Sequence, residues 1–121
     1  MGAPTPVYKI KLWSTDYADT KFSLGIRARD GKCRRCLRTD LPLDCSHYWK
    51  RGESGTRFDP SNCIALCRDC HTIWERQQNN EYKAFMVDWL GQKEYDAVER
   101  RARTFKKRVD AVLECMKLLS A

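Results

Sequence analysis

Histidine is scarce in this chain, with two in 121 residues. Long apolar runs are absent: nothing approaches the ~20 consecutive apolar residues of a membrane helix, which excludes a helical membrane span. Met1-Gly2-Ala3-Pro4 leads into polar sequence rather than an apolar signal segment, which argues against a secretory leader. There is no internal repeat and no low-complexity segment, so the chain is not a repeat array. Cysteine, by contrast, is plentiful. Seven are present, an odd number, and four form two Cys-x-x-Cys pairs, Cys33/Cys36 and Cys67/Cys70. Odd number and paired spacing favour a reduced, metal-binding interior protein over a secreted disulfide scaffold. The expected location is the cytoplasm of a bacterial or phage-infected host cell.

A chain of this length suits one domain with one modest core, and such a domain gains from a metal staple. Each Cys-x-x-Cys turn delivers two thiolates, so the two pairs predict a closed structural Zn2+ site. Thirty residues separate Cys36 from Cys67, more than the roughly 15–20 of a zinc ribbon. An inserted hairpin with a loop, held at its base by the metal, fits that gap. A thioredoxin-like redox role fits poorly, because neither pair follows an apolar strand in a βαβ pattern. Of the remaining cysteines, Cys63 lies in the buried-strand pattern Cys63-Ile64-Ala65-Leu66 and reads as core. Cys45 adjoins the candidate site strand; a metal role is open to it, with packing preferred.

Residues 1–13 hold Pro4 and Pro6 before the alternating Val7-Tyr8-Lys9-Ile10-Lys11-Leu12, the pattern of an extended arm or edge strand. Ser14 or Thr15 can cap a helix over about 15–30, which Asp30-Gly31 ends. Leu43 to Trp49 and Asn62 to Leu66 read as strands, with residues 50–61 the loop between them. A helical pattern starts at Arg68 and runs through Trp74. Another, with Tyr82, Phe85, Met86, Trp89 and Leu90, ends at Gly91. From Tyr95 to Leu119 apolar residues step by 3 and 4, predicting a C-terminal amphipathic helix over 92–121. Packing on the rest of the domain is the preferred role for that stripe; a homodimer seam is the alternative to a monomer. The expected class is α+β, with an arm at 1–13, a zinc-bearing domain at 14–91 and the packed helix at 92–121.

The formal charge is +7, which favours an anionic partner. Between residues 27 and 57, nine Lys or Arg stand against four Asp or Glu. Most charge runs are solvated faces; this one surrounds the histidine and thiolate constellation, so phosphate contacts are expected. Arg34, Arg35, Lys50, Arg51 and Arg57 are the candidates. The tryptophans read as core or loop anchors, with Trp49 beside Lys50-Arg51 the exception that could stack on a base.

Ser46-His47, Asn62 and His71 sit inside the zinc-binding segment. Singly, each has a plain reading: His47 as a strand histidine satisfied by backbone, Asn62 as a turn residue after Pro60-Ser61, His71 as a zinc ligand. Together, the order Cys45-Ser46-His47-Tyr48, Thr56-Arg57-Phe58-Asp59-Pro60-Ser61-Asn62, Ala65-Leu66-Cys67-x-x-Cys70-His71 resembles the HNH, or ββα-metal, endonucleases. The closest likeness is to small phage recombination nucleases of the NinG type, over residues 20 to about 95.

That resemblance implies a zinc-stapled hairpin-helix core with flanking helices, and cleavage of DNA phosphodiester bonds to 5′-phosphate and 3′-hydroxyl ends. It implies His47 as general base, Asn62 orienting His47 through a hydrogen bond, His71 as ligand to one catalytic Mg2+ or Mn2+, and Arg57 as a phosphate clamp. Ser46 stands where many of these enzymes carry an acidic metal ligand. Asp44 shares its strand face and is the substitute expected here. A catalytically silent zinc module that binds nucleic acid is the alternative function.

Overall fold

The computed structural model describes residues 14–120, so the expected arm at 1–13 lies outside the described residues. Ser14 opens the first helix, α1 (Thr15–Asp30), its Oγ accepting the Tyr17 N–H at 3.2 Å. Asp16 stands in the first turn and Arg27 and Arg29 in the last, which complements the helix dipole. Gly31 ends the helix in the left-handed region at φ 66°, donating its N–H to the Arg27 carbonyl at 2.9 Å. An L side chain is strained there and glycine is not. Ala18, Phe22 and Ile26, four residues apart, form the buried face of α1.

Strands β1 (Leu43–His47) and β2 (Cys63–Cys67) form the expected hairpin, antiparallel, with Leu43 opposite Cys67 and His47 opposite Cys63. β1 stops two residues earlier than the sequence suggests. Pro60–Asn62 forms a short 3₁₀ turn, delaying β2 by one residue, with Asp59 capping it through the Ser61 N–H. Every residue of β2 is buried, and the strand contributes to two cores. Ile64 and Leu66 join Trp74, Tyr82, Met86 and Tyr95. Cys63 joins the α1 face with Val112, Cys115 and Met116.

Cys67 leads into α2 (Arg68–Thr72), which widens into a π-helical turn at Ile73–Gln77, where the Gln78 N–H reaches the Ile73 carbonyl. Helices α3 (Asn79–Leu90) and α4 (Gln92–Arg103) pack as a pair. The single C-terminal helix expected over 92–121 is corrected to two: α4 ends at Arg103, Thr104 is extended, and α5 (Arg108–Ser120) turns back onto α1. Arg100, Arg101, Arg103, Lys106, Lys107 and Arg108 would repel one another at helical spacing, which weakens a continuous helix. Val112, Cys115 and Met116 gain burial against α1 by the break. The architecture is α+β, five helices around one two-stranded hairpin among the described residues, and no helix is long and apolar enough to cross a membrane.

The loop between the strands docks on the end of α4. A Cβ added at Gly55 would collide with the backbone carbonyl of Arg101 and stand 2.8 Å from that of Thr104. Backbone cannot rotate aside as a side chain can. Gly55→Ala is therefore expected to lower stability by about 1–3 kcal/mol, read as a reduced denaturant midpoint; an unchanged midpoint would contradict this docking.

Candidate functional site

The two knuckles meet at the base of the hairpin. Cys33, Cys36, Cys67 and Cys70 bring their sulfurs within 4.8 Å of one another, and Cys36 Sγ lies 3.9 Å from Cys67 Sγ. Sulfurs on a tetrahedron about 2.3 Å from a zinc ion stand about 3.8 Å apart. The donor set and spacing fit a structural zinc site. The first knuckle is shaped by backbone: Leu37 donates to the Cys33 carbonyl at 2.8 Å, and Cys33 donates to the Arg38 carbonyl at 3.0 Å. Leu37 itself takes φ 67° to close the turn. Burial raises the Cys33 thiol, yet backbone N–H groups of Cys36, Cys67 and Arg35 bring it down to about 7. Burial drives Cys70 up to about 12, although Arg35 Nη1 donates to its sulfur at 3.5 Å.

Asp30 ties this clamp to α1 and β2. Its side chain is fully buried and accepts from Arg29, from Arg34 at 2.9 Å and from the Ala65 N–H at 2.8 Å. Burial would raise its carboxyl; these hydrogen bonds outweigh burial and hold it below the ordinary value.

His47 ends β1 and points toward α1. Its Nε2 lies 2.8 Å from the Arg57 carbonyl, and a carbonyl only accepts, so Nε2 carries the hydrogen and Nδ1 keeps the lone pair. Desolvation lowers the His47 pKa below its ordinary value, Arg51 lowers it further, and the hydrogen bond to Arg57 opposes both. The expected bond from Asn62 to the His47 ring is absent. Asn62 is fully buried. Its Oδ1 accepts the Trp49 N–H at 2.8 Å, and its Nδ2 donates to the carbonyls of Trp49 at 2.9 Å and Thr56 at 3.2 Å. Asn62 closes the loop that presents the Arg57 carbonyl, and so orients His47 at one remove.

His71, in α2, stands at the edge of β1. Asp44 Oδ2 lies 3.0 Å from its Nδ1 and Glu75 Oε2 lies 2.8 Å from its Nε2. Hydrogen bonds from Arg68 and His71 hold the Asp44 carboxyl below its ordinary value, against the opposing effect of burial. A neutral imidazole has one N–H, so carboxylates on both nitrogens require a second proton or a metal ion in place of one hydrogen bond. Adjacent ligands about 2.1 Å from an octahedral ion stand about 3.0 Å apart, which the Asp44–His71 pair matches. Carboxylate oxygens and imidazole are donors that suit Mn2+, and the carboxylates suit Mg2+. Ser46 is no ligand: it is fully buried, 2.7 Å from the Tyr82 hydroxyl.

His47, His71, Glu75, Lys50 and Arg51 line one cavity of about 420 Å³. Of the five basic residues expected to meet phosphate, only Lys50 and Arg51 reach it. Arg57 is buried and its guanidinium is spent on Asp19, at 3.0 and 2.5 Å, and on the Arg51 carbonyl. Arg34 pairs with Asp30 and lies over the Trp89 ring. Arg35 pairs with Glu81 at 2.8 Å beside the clamp. Glu75 and Asp19 are site residues the sequence reading missed. The spacing of Glu75 four residues after His71 was the available signal for the first; nothing local marked the second.

Comparison with protein-family models, curated proteins and solved structures gives no match for the chain.

Two outcomes follow from this geometry. Stripping the four-cysteine site with a strong chelator should lower the thermal midpoint by about 10 °C or more, because structural zinc contributes directly to folding; an unchanged melt would show that the four thiols pack without metal. Asn62→Ala leaves the Trp49 carbonyl and N–H unpaired and removes one of the two donors to the Thr56 carbonyl, and should cost about 2–3 kcal/mol, with hydrogen exchange rising first between residues 48 and 57. A loss confined elsewhere would dismiss the loop-closing role.

Proposed function

We propose that the protein is an HNH endonuclease, hydrolysing DNA phosphodiester bonds with a divalent ion, on a ββα-metal core formed by β1, β2 and α2. One observation carries this reading. The Arg57 carbonyl fixes His47 with its Nδ1 lone pair free, in the cavity that also holds His71 and Glu75 and is rimmed by Lys50 and Arg51.

His47 takes the proton from the attacking water at Nδ1. Burial keeps the ring neutral at pH 7, the state a base needs. Asn62 and the Arg57 carbonyl prevent the ring from turning, so the lone pair stays directed at one place. Lys50 and Arg51, both well exposed, draw the phosphate backbone toward the cavity. His71 Nδ1 with Asp44 would hold the Mg2+ or Mn2+ ion, and Glu75, on the ring's other nitrogen, would orient the imidazole. Bound there, the ion would stabilise charge on the phosphate and on the leaving oxygen. A place in phage recombination rests on the sequence likeness alone.

One observation favours a second reading, the catalytically silent zinc module that binds nucleic acid. The position before His47 offers no ligand, since Ser46 is buried against Tyr82. Nicking of supercoiled plasmid with Mg2+, Mn2+ or chelator separates the two. The enzyme reading predicts ion-dependent nicking that falls at least about 10²-fold in His47→Ala, with zinc content retained. Since the neutral form is active and its pKa is lowered, the rate should fall only as pH drops below about 6.5 and stay level above it. No cleavage with any ion would favour the binding module, and cleavage whose plateau begins above pH 7 would reject His47 as the base.

A further inference from the structure

Beside the hard-ion donors, the hairpin carries a second donor set of different chemistry. Cys45 Sγ, Cys63 Sγ and a ring nitrogen of His47 lie within 4.8 Å of one another. The register explains why. His47 is directly opposite Cys63, and Cys45 is two residues before His47 on the same face, so two hydrogen-bonded strands hold the three together. We propose that Cys45, Cys63 and His47 form a binding site for a soft or borderline metal ion, Zn2+, Cd2+ or Cu+, distinct from the four-cysteine clamp.

Three features of the site favour an ion over simple packing. Two thiolates and an imidazole select zinc-like ions over Mg2+, whereas the Asp44 and Glu75 carboxylates have the opposite preference. His47 gives its Nε2–H to the Arg57 carbonyl, the outer-sphere arrangement that fixes metal-bound histidines and leaves Nδ1 to coordinate. Cys63 is fully buried, while Cys45 and His47 open on the 420 Å³ cavity. That gives three protein ligands with a fourth position reachable by water, the form of an open zinc site. The donor atoms stand within 4.8 Å of one another, close enough to the roughly 3.5–3.8 Å of a closed tetrahedron that side-chain rotation on a fixed hairpin can complete it.

Occupancy would have a consequence for the chemistry. An ion on Nδ1 takes the lone pair that accepts the water's proton, so zinc at this site turns the nuclease off while zinc at the clamp keeps it folded. The inhibition rests on His47 being the base; the binding does not.

The test starts from full-length protein carrying one zinc equivalent in the clamp and titrates it with Cd2+, following the thiolate-to-metal absorption in the near ultraviolet. Wild type should take up a second equivalent with new thiolate absorption. Cys45→Ser, checked for its retained first zinc and unchanged circular dichroism, should bind that second equivalent roughly tenfold more weakly or worse. Zinc added to the Mg2+-supported nicking reaction should inhibit wild type, and half-inhibition of Cys45→Ser, relative to its own zinc-free rate, should need at least about tenfold more. A single equivalent in wild type, or a second one bound equally by both proteins, would overturn the site. A second equivalent lost in Cys45→Ser, from a protein that nicks nothing with any ion, would uphold the site and reject the nuclease.

Discussion

Four sulfurs at the base of one hairpin set the conditions for everything else in this molecule. The first knuckle follows α1 and the second joins β2 to α2, so an ion held by Cys33, Cys36, Cys67 and Cys70 joins three elements that a small core could not hold alone. Structural zinc contributes on the order of 10–16 kcal/mol, comparable to the whole net stability of a typical domain, about 5–15 kcal/mol. Asp30 extends the clamp by tying α1, the knuckle and the Ala65 N–H through one buried carboxylate. His71 directly follows Cys70, and His47 ends the strand that pairs with β2.

Above the clamp, polar residues divide into those that hold and those that are available. Asn62 spends its whole amide on the loop, and Arg57 spends its guanidinium on Asp19 while lending its carbonyl to His47. Such buried, satisfied groups specify one geometry for the loop. What remains with an open lone pair or an open face is the His47 Nδ1, the His71 cluster and the Lys50–Arg51 rim. This division explains how so small a chain lowers the His47 pKa: the ring is desolvated, and its partner is an uncharged carbonyl.

How much of this was legible depended on how local the signal was. The zinc ligands, the hairpin and the cap and stop of α1 are written in short spacings and were read from sequence. Alternation along β1 put Asp44 forward as a ligand in place of Ser46, and the structure sets it 3.0 Å from His71. The break between α4 and α5 was hidden, because no proline or glycine marks residues 104–107 and the apolar step continues through them. Arg57 was misread as a phosphate clamp for a related reason. Its partner Asp19 is 38 residues away, and only the tertiary fold shows that the guanidinium is inward. Asn62 was placed near His47 rightly, but its partners are backbone groups that no residue pattern displays.

The protonation geometry of His47 is where zinc clamp, loop and proposed chemistry converge, and nitrogen-15 NMR of the imidazole reads it directly. In the protein carrying one zinc equivalent, in the clamp alone, at pH 6.5 the ring should be mainly neutral, with Nε2 bearing the hydrogen and Nδ1 showing the shift of an unprotonated nitrogen. A ring found mainly charged at that pH, or neutral with the hydrogen on Nδ1, would contradict the account.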